Sequence, residues 1–187
     1  MKKVALVVGH RSLKKGAYGN AGVSEFDYNS ALAKEIKKAL KDSKDVEIEI
    51  FYRDNLFGGY GEKMKRLHKR IDEWGADYSI SLHFNAAGRE DINGHEVLYC
   101  SSRGKKLAKK LNKLFTKYLG NKDRKIKKRT KKQRGGGFLC RGKSVCVLAE
   151  PFFAAHQKKF MPGTDGYNNL LIAYLGFIDW LGEQEDV

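Results

Sequence analysis

The sequence is constrained most by an alternation of short apolar runs with longer stretches whose apolar residues fall at helical spacing. Val4–Val8 is an unbroken apolar run, the pattern of a strand covered on both faces. A loop with Gly9, Gly16, Gly19 and Gly22 follows. Ser24-Glu25-Phe26-Asp27 matches a capping box, with Ser24 as N-cap and an acid three residues on. The helix it opens is predicted to run to about Leu40, with Phe26, Asn29, Leu32, Ala33 and Ile36 on one face. Val46–Tyr52 alternates Val46, Ile48 and Ile50 with Glu47 and Glu49, as a half-exposed strand does. Glu62–Trp74 spaces Met64, Leu67, Ile71 and Trp74 as a helix. Tyr78–Phe84, Gly94–Cys100 and Ser144–Ala149 read as strands. Arg103–Leu119 and Thr164–Leu181 read as helices, and 120–137 as a polar, basic stretch without an assigned element. Such alternation predicts an α/β fold: a single domain, with a mixed, mostly parallel sheet of about six strands flanked by helices on both faces.

At 187 residues the chain is long enough to bury a core without a disulfide framework. Ten Phe, nine Tyr and two Trp exclude a disordered chain. No run approaches the roughly 20 apolar residues of a membrane span, so no transmembrane segment is expected. Met1-Lys2-Lys3 with Val4–Val8 imitates a signal peptide, but the apolar run ends too soon, at Gly9-His10-Arg11. No export signal is read there. Cys100, Cys140 and Cys146 are odd in number and form no C-x-x-C, so reduced thiols of a cytosolic protein are expected. Cys146, inside Val145–Leu148, reads as a core residue.

In open α/β sheets, ligands bind beyond the carboxyl ends of the strands. His10 follows the first strand, His83 ends the Tyr78 strand, and Glu150 follows the Ser144 strand. Glu25 opens the helix after the glycine loop, which aims it at the same edge. Two imidazoles and one carboxylate make the ligand set of a catalytic zinc site with one position open. The remaining carboxylate, Glu150, suits a general base. Taken singly, each has an ordinary alternative: His10 and His83 as plain loop or strand-end histidines, Glu25 as a dipole partner of its helix, Glu150 as a solvated acid. Their shared place at one sheet edge favours the joint reading. His68, on the polar side of its predicted helix, His95 and His156 read as non-ligands.

These segments resemble the zinc-dependent N-acetylmuramoyl-L-alanine amidases, in the class of autolysins and phage endolysins called type-three amidases. The likeness is carried by Val7-Val8-Gly9-His10 with Gly16, Gly19 and Ser24-Glu25-Phe26-Asp27-Tyr28-Asn29. It continues in Tyr52-Arg53-Asp54, Arg70, Ala76-Asp77, Ser79–Ala86 with His83, Gly94–Tyr99, and Val145–Phe153 with Glu150. It runs from about residue 4 to 181. The sequence departs from the family's pattern at Val8 and Arg11, beside Gly9-His10, and at Phe26 after Glu25. The resemblance implies one catalytic Zn²⁺ held by His10, Glu25 and His83, with Glu150 handling the proton. The bond cut would be the amide between N-acetylmuramic acid and L-alanine in peptidoglycan. Asn85 would orient substrate or support a ligand; capping the loop after its strand is an equal alternative. Residues 1–187 are expected to form one catalytic domain, with no separate wall-binding domain. A phage endolysin is favoured over an autolysin, held in the host bacterial cytoplasm before lysis and then acting on the cell wall.

The net charge is +15, and residues 101–143 carry 18 Lys or Arg against one acid, Asp123. One reading is a solvated helix face and loop. The other is docking on anionic wall polymers, which salt would weaken. A nucleic-acid-binding protein is the rival that the charge permits, yet aromatic residues for base stacking are sparse in this segment. No nucleic-acid partner is expected. A second rival is a zinc peptidase or amidohydrolase of related fold, acting on another cell-wall bond.

Overall fold

An unbroken apolar strand needs cover on both sides, and the first strand receives it in the middle of the sheet. In the computed structural model, which describes residues 1–87 and 89–185, β1 (Lys2–Val8) pairs parallel with β2 (Val46–Tyr52) and with β3 (Tyr78–Leu82). β6 (Val145–Glu150) pairs parallel with β3, and β4 (His95–Tyr99) pairs antiparallel with β6. β5 (Asp123–Lys128) closes the edge, parallel to β4. Among the described residues the sheet has six strands in the order β2-β1-β3-β6-β4-β5. It is mixed and mostly parallel, as the alternation predicts.

Helices cover both faces. α1 (Glu25–Ala39), α3 (Ser102–Tyr118) and α5 (Asp165–Gly182) bury Leu32, Ile36, Leu111, Phe115, Tyr174 and Phe177 against Val4, Leu6, Ile80 and Val147. α2 (Tyr60–Trp74) and the one-turn α4 (Gly136–Leu139) bury Leu67, Ile71 and Phe138 against Ala5, Val7, Leu98 and Leu148. In β1 and β6 successive residues thus serve opposite cores, which is why those strands lack a polar side. α1 begins as the capping box predicts: the Ser24 hydroxyl accepts from the Asp27 amide at 3.1 Å and donates to its carboxylate at 2.7 Å. No helix among the described residues is long and apolar enough to cross a membrane.

An aromatic cluster fixes the segments that carry the site. Tyr28 lies one turn after Glu25, Phe84 follows His83, and Phe152 lies two residues after Glu150. Their rings meet, with centroids 5.3 Å apart for Tyr28–Phe152 and for Phe84–Phe152 and 5.9 Å for Tyr28–Phe84. Phe160, on a 3₁₀ helix over Ala154–Phe160, stacks on Phe152 at 4.6 Å. That helix is tied to the glycine loop by Asn20, which donates to the Ala155 carbonyl and accepts from the Lys158 amide.

Three expectations are corrected. First, 120–137 contains β5. Its sequence holds one apolar residue, Ile126, so no period-two pattern shows. It forms because an edge strand bonds one neighbour and leaves its other side in water, where basic residues suit it. Arg124 and Lys127 also reach the buried Glu96 of β4, at 2.9 and 2.6 Å. A bulge at Lys125, with φ 70°, takes up the register shift. Second, Cys100 and Cys140 are not reduced thiols: they form a disulfide, with Cα atoms 5.5 Å apart. Forty residues separate them in sequence, and only the packing of α4 over β4 brings them together. Cys146 is free and buried, as expected. Third, His68 is not on a polar face. It is buried against Phe138, ring centroids 5.1 Å apart, because α4 covers that side of α2.

Candidate active site

β1, β2, β3 and β6 run parallel, so their carboxyl ends share one edge. His10 stands two residues past β1, His83 one past β3, and Glu150 is the last residue of β6. Glu25 is the first residue of α1, turned toward that edge by backbone bonds from its amide to the Ala17 carbonyl and from Phe26 to Lys15. The crowding there explains two glycines. A Cβ on Gly9 would lie 2.5 Å from the His83 ring. One on Gly16, at φ 81°, would lie 2.7 Å from the His10 ring and 2.8 Å from the Glu25 carboxylate. His10 itself has φ 64°, a left-handed conformation that costs a residue with a side chain about 1–2 kcal/mol. The contacts of its ring hold it there.

Glu25 sits between the two imidazoles. One oxygen is 2.9 Å from His10 Nε2, and the other is 2.7 Å from His83 Nδ1 and accepts from the Phe84 amide. Burial opposes the Glu25 charge, but the hydrogen bonds to His10 and His83 prevail and hold its carboxyl at about 2, below the ordinary 4.5. Among the described residues no lysine or arginine pairs with it. The three donor atoms lie within 4.8 Å of one another. Two imidazole nitrogens and one carboxylate oxygen, converging around a buried negative charge, are a donor set that fits a zinc ion with a coordination position left open.

Glu150 faces the same cleft, a cavity of about 720 Å³ also lined by His10 and His83. It is buried, and one oxygen accepts from Asn85 Nδ2 at 2.6 Å. Arg134 approaches the other oxygen at 3.9 Å. Burial pushes the Glu150 carboxyl up to about 7; His83 and Arg134 oppose this, while the carboxylates of Glu96 and Glu25 add to it. Glu96 is the partner of Glu150 in the antiparallel register. A carboxyl that titrates near neutrality can both take and return a proton.

The structure therefore brings His10, Glu25, His83 and Glu150 to one edge. Asn85 gives its amide to Glu150. Its backbone bonds to Phe152 and Ala154, bridging the two site-bearing strands. His95 is structural, bonded to Asn121 at 2.6 Å and Thr116 at 3.2 Å. Sequence reasoning missed the wall over the cleft formed by 131–137, including Arg134. The run Gly135-Gly136-Gly137 was the available signal. A Cβ on Gly136 would lie 1.9 Å from the Thr130 carbonyl oxygen, so only glycine lets this segment fold back so tightly.

The family described as N-acetylmuramoyl-L-alanine amidase matches residues 4–169. Among solved structures, one similar to this chain is the catalytic domain of CwlV, an N-acetylmuramoyl-L-alanine amidase from Bacillus (Paenibacillus) polymyxa var. colistinus. It is 24% identical, covers 98% of this chain and 100% of its own, and has a TM-score of 0.79. The catalytic domain of the CD27L endolysin, which targets Clostridia difficile, is 25% identical over 94% of this chain and 97% of its own, with a TM-score of 0.73. An N-acetylmuramoyl-L-alanine amidase from Clostridium difficile 630 is 21% identical over 95% and 97%, with a TM-score of 0.76. Against curated protein sequences no significant match is found.

Proposed function

Since the chain belongs to the N-acetylmuramoyl-L-alanine amidase family, and is an amide hydrolase of peptidoglycan, we propose that it works with one zinc ion held by His10, Glu25 and His83, with Glu150 as the catalytic acid and base. The observation that carries this reading is the convergence of three donor atoms within 4.8 Å, in a cleft shared with a carboxyl displaced to about 7. Zinc supplies Lewis acidity, which polarises an amide carbonyl and acidifies water.

The chain's own residues do the rest. Glu25 would contribute the negative charge of the ligand set, with one oxygen also accepting from the Phe84 amide. Glu150 takes a proton from the attacking water and returns it to the leaving nitrogen of L-alanine. Asn85 fixes one Glu150 oxygen, leaving the other toward the cleft. The buried aromatic rings behind the site hold the four residues in register.

The endolysin role is part of the same proposal, supported by the likeness to the CD27L catalytic domain. Such an enzyme would build up in the host cytoplasm and reach the wall once the membrane is breached. The Cys100–Cys140 bridge suits work outside a reducing cytosol. Anionic wall polymers are the further partner, through the exposed lysines of α3 (Lys105, Lys106, Lys109, Lys113 and Lys117).

Digestion of purified sacculi tests the reading. Mass spectrometry is expected to find new L-alanine amino termini and intact muramic acid. The purified enzyme is expected to hold one zinc per chain, and chelation to stop the reaction. Turnover by the chelated enzyme, or new termini elsewhere, would overturn it.

A further inference from the structure

The wall of the cleft formed by α2 and the segment after α4 carries two guanidinium groups that pair with no carboxylate among the described residues. Arg53, the residue after β2, lies with its guanidinium carbon 5.5 Å from the Tyr60 ring centroid. Arg141, just past α4, also lies near Tyr60; its Nη2 is 4.0 Å from where a Cβ on Gly61, the next residue, would stand. Both line the cavity that holds His10, His83 and Glu150. The Nε atoms of both are buried and have no hydrogen-bond partner among the described residues.

The nearby acids are already taken. Asp54, next to Arg53, receives two bonds from Arg66, each 2.8 Å. Glu62 pairs with Lys65 at 3.0 Å. Burial lowers the Arg53 pKa; Arg11 adds to that, while Tyr60 and Asp54 oppose it. Five Lys or Arg residues line the cavity, and Glu150 is the only carboxylate among the described lining residues. Leaving the buried Nε of a guanidinium unbonded is costly. Its planar fork fits a carboxylate through two parallel bonds.

The substrate's two ends differ in charge. On the glycan side of the scissile amide, the sugars present hydroxyl and acetamide groups. The peptide side carries free carboxylates. We propose that Arg53 and Arg141, both beside Tyr60 on the cleft wall, form a clamp for a carboxylate of the stem peptide, that of the γ-linked glutamate next to the alanine. This rests on the amidase reading and deepens it. The clamp sets the direction in which the substrate crosses the site, with the peptide toward α2 and α4. It also makes the enzyme selective for stems whose glutamate is not amidated.

The test compares muramoyl-L-Ala-γ-D-Glu-L-Lys with the same compound amidated at the glutamate α-carboxyl to D-isoglutamine, so that the two differ only in that one carboxylate. The wild-type enzyme is expected to prefer the free acid by about tenfold or more in kcat/KM, the size of one charge-assisted bond. Arg53→Gln and Arg141→Gln should each shrink that ratio, and the double variant should bring it near one. Arg53→Lys should keep part of it. The ratio does not depend on how much of a variant is folded, because both substrates meet the same enzyme. Equal rates on the two substrates with wild type, or a ratio untouched by the substitutions, would overturn the clamp. If neither compound is cleaved at the lactyl amide, the amidase reading falls. Calorimetry with the free peptides L-Ala-γ-D-Glu-L-Lys and L-Ala-γ-D-isoglutaminyl-L-Lys then still decides the clamp: tighter binding of the acid supports it, and equal binding overturns it.

Discussion

Replacing Glu150 with glutamine should make the protein more stable and less active at once. The carboxyl is buried and ionises near 7 in the folded chain, against an ordinary value of 4.5 that serves for the unfolded one. Below pH 4.5 both states hold the proton and the group is neutral to stability. Between 4.5 and 7 the unfolded chain releases a proton that the folded chain retains, so stability falls as pH rises. Above 7 the whole cost is present. At 1.36 kcal/mol per pH unit it is about 1 kcal/mol at pH 5 and about 3 kcal/mol at pH 8. Glutamine imitates the protonated acid and can still accept from Asn85. Glu150→Gln is therefore expected to gain about 3 kcal/mol at pH 8, or roughly 6–12 °C in Tm for a chain of this size. The gain should shrink to about 1 kcal/mol at pH 5. Urea unfolding of the chelated protein, followed by circular dichroism at both pH values, measures this. The zinc-loaded variant should meanwhile lose about 10²–10⁴-fold in rate on sacculi. Superimposed unfolding curves at pH 8 would refute the account of the buried charge. Undiminished turnover would refute the role of Glu150.

Asn85→Ala removes a donor from the Glu150 carboxylate. A hydrogen bond to a charged group contributes about 1.5–3 kcal/mol, so the acid limb of the pH–rate profile should move about one to two pH units upward; an unmoved limb counts against Asn85 as the positioning residue. Reducing the Cys100–Cys140 bridge, or replacing Cys100 with Ser, frees a 40-residue loop in the unfolded chain. The loss expected from loop entropy is about 4 kcal/mol, and denaturation midpoints that ignore reductant would contradict the pairing. Adsorption to cell walls should weaken steeply as salt rises from low to high ionic strength. It should also weaken when Lys105, Lys109 and Lys113 become Gln; adsorption indifferent to both would show the basic face to be merely solvated.

Much of the fold was legible because it depends on local pattern. The β-branched run at Val4–Val8, the Ser24 cap and the helical spacing of Leu107, Leu111 and Phe115 each name an element without reference to anything distant. The site was partly legible for a related reason. A parallel α/β sheet delivers strand ends to one edge, so His10, His83 and Glu150 could be placed together from their positions alone. β5 was hidden because an edge strand made of basic residues has no apolar period. His68 was misjudged because α4, which covers it, is a single turn in a glycine-rich stretch.

The sequence by itself determined the order of elements, the glycine loop and the residue types at the sheet's carboxyl edge, since these follow from spacing and short-range backbone chemistry. Only the tertiary structure decided which side chains share an environment. It paired Cys100 with Cys140, set Glu96 opposite Glu150, bonded Asn85 to that carboxylate and left Arg53 and Arg141 beside Tyr60 without a carboxylate partner among the described residues. Burial, and the charges around a buried group, are properties of packing between residues distant in sequence, and those properties set the ionisation and the free hydrogen-bonding capacity on which the chemistry of the cleft depends.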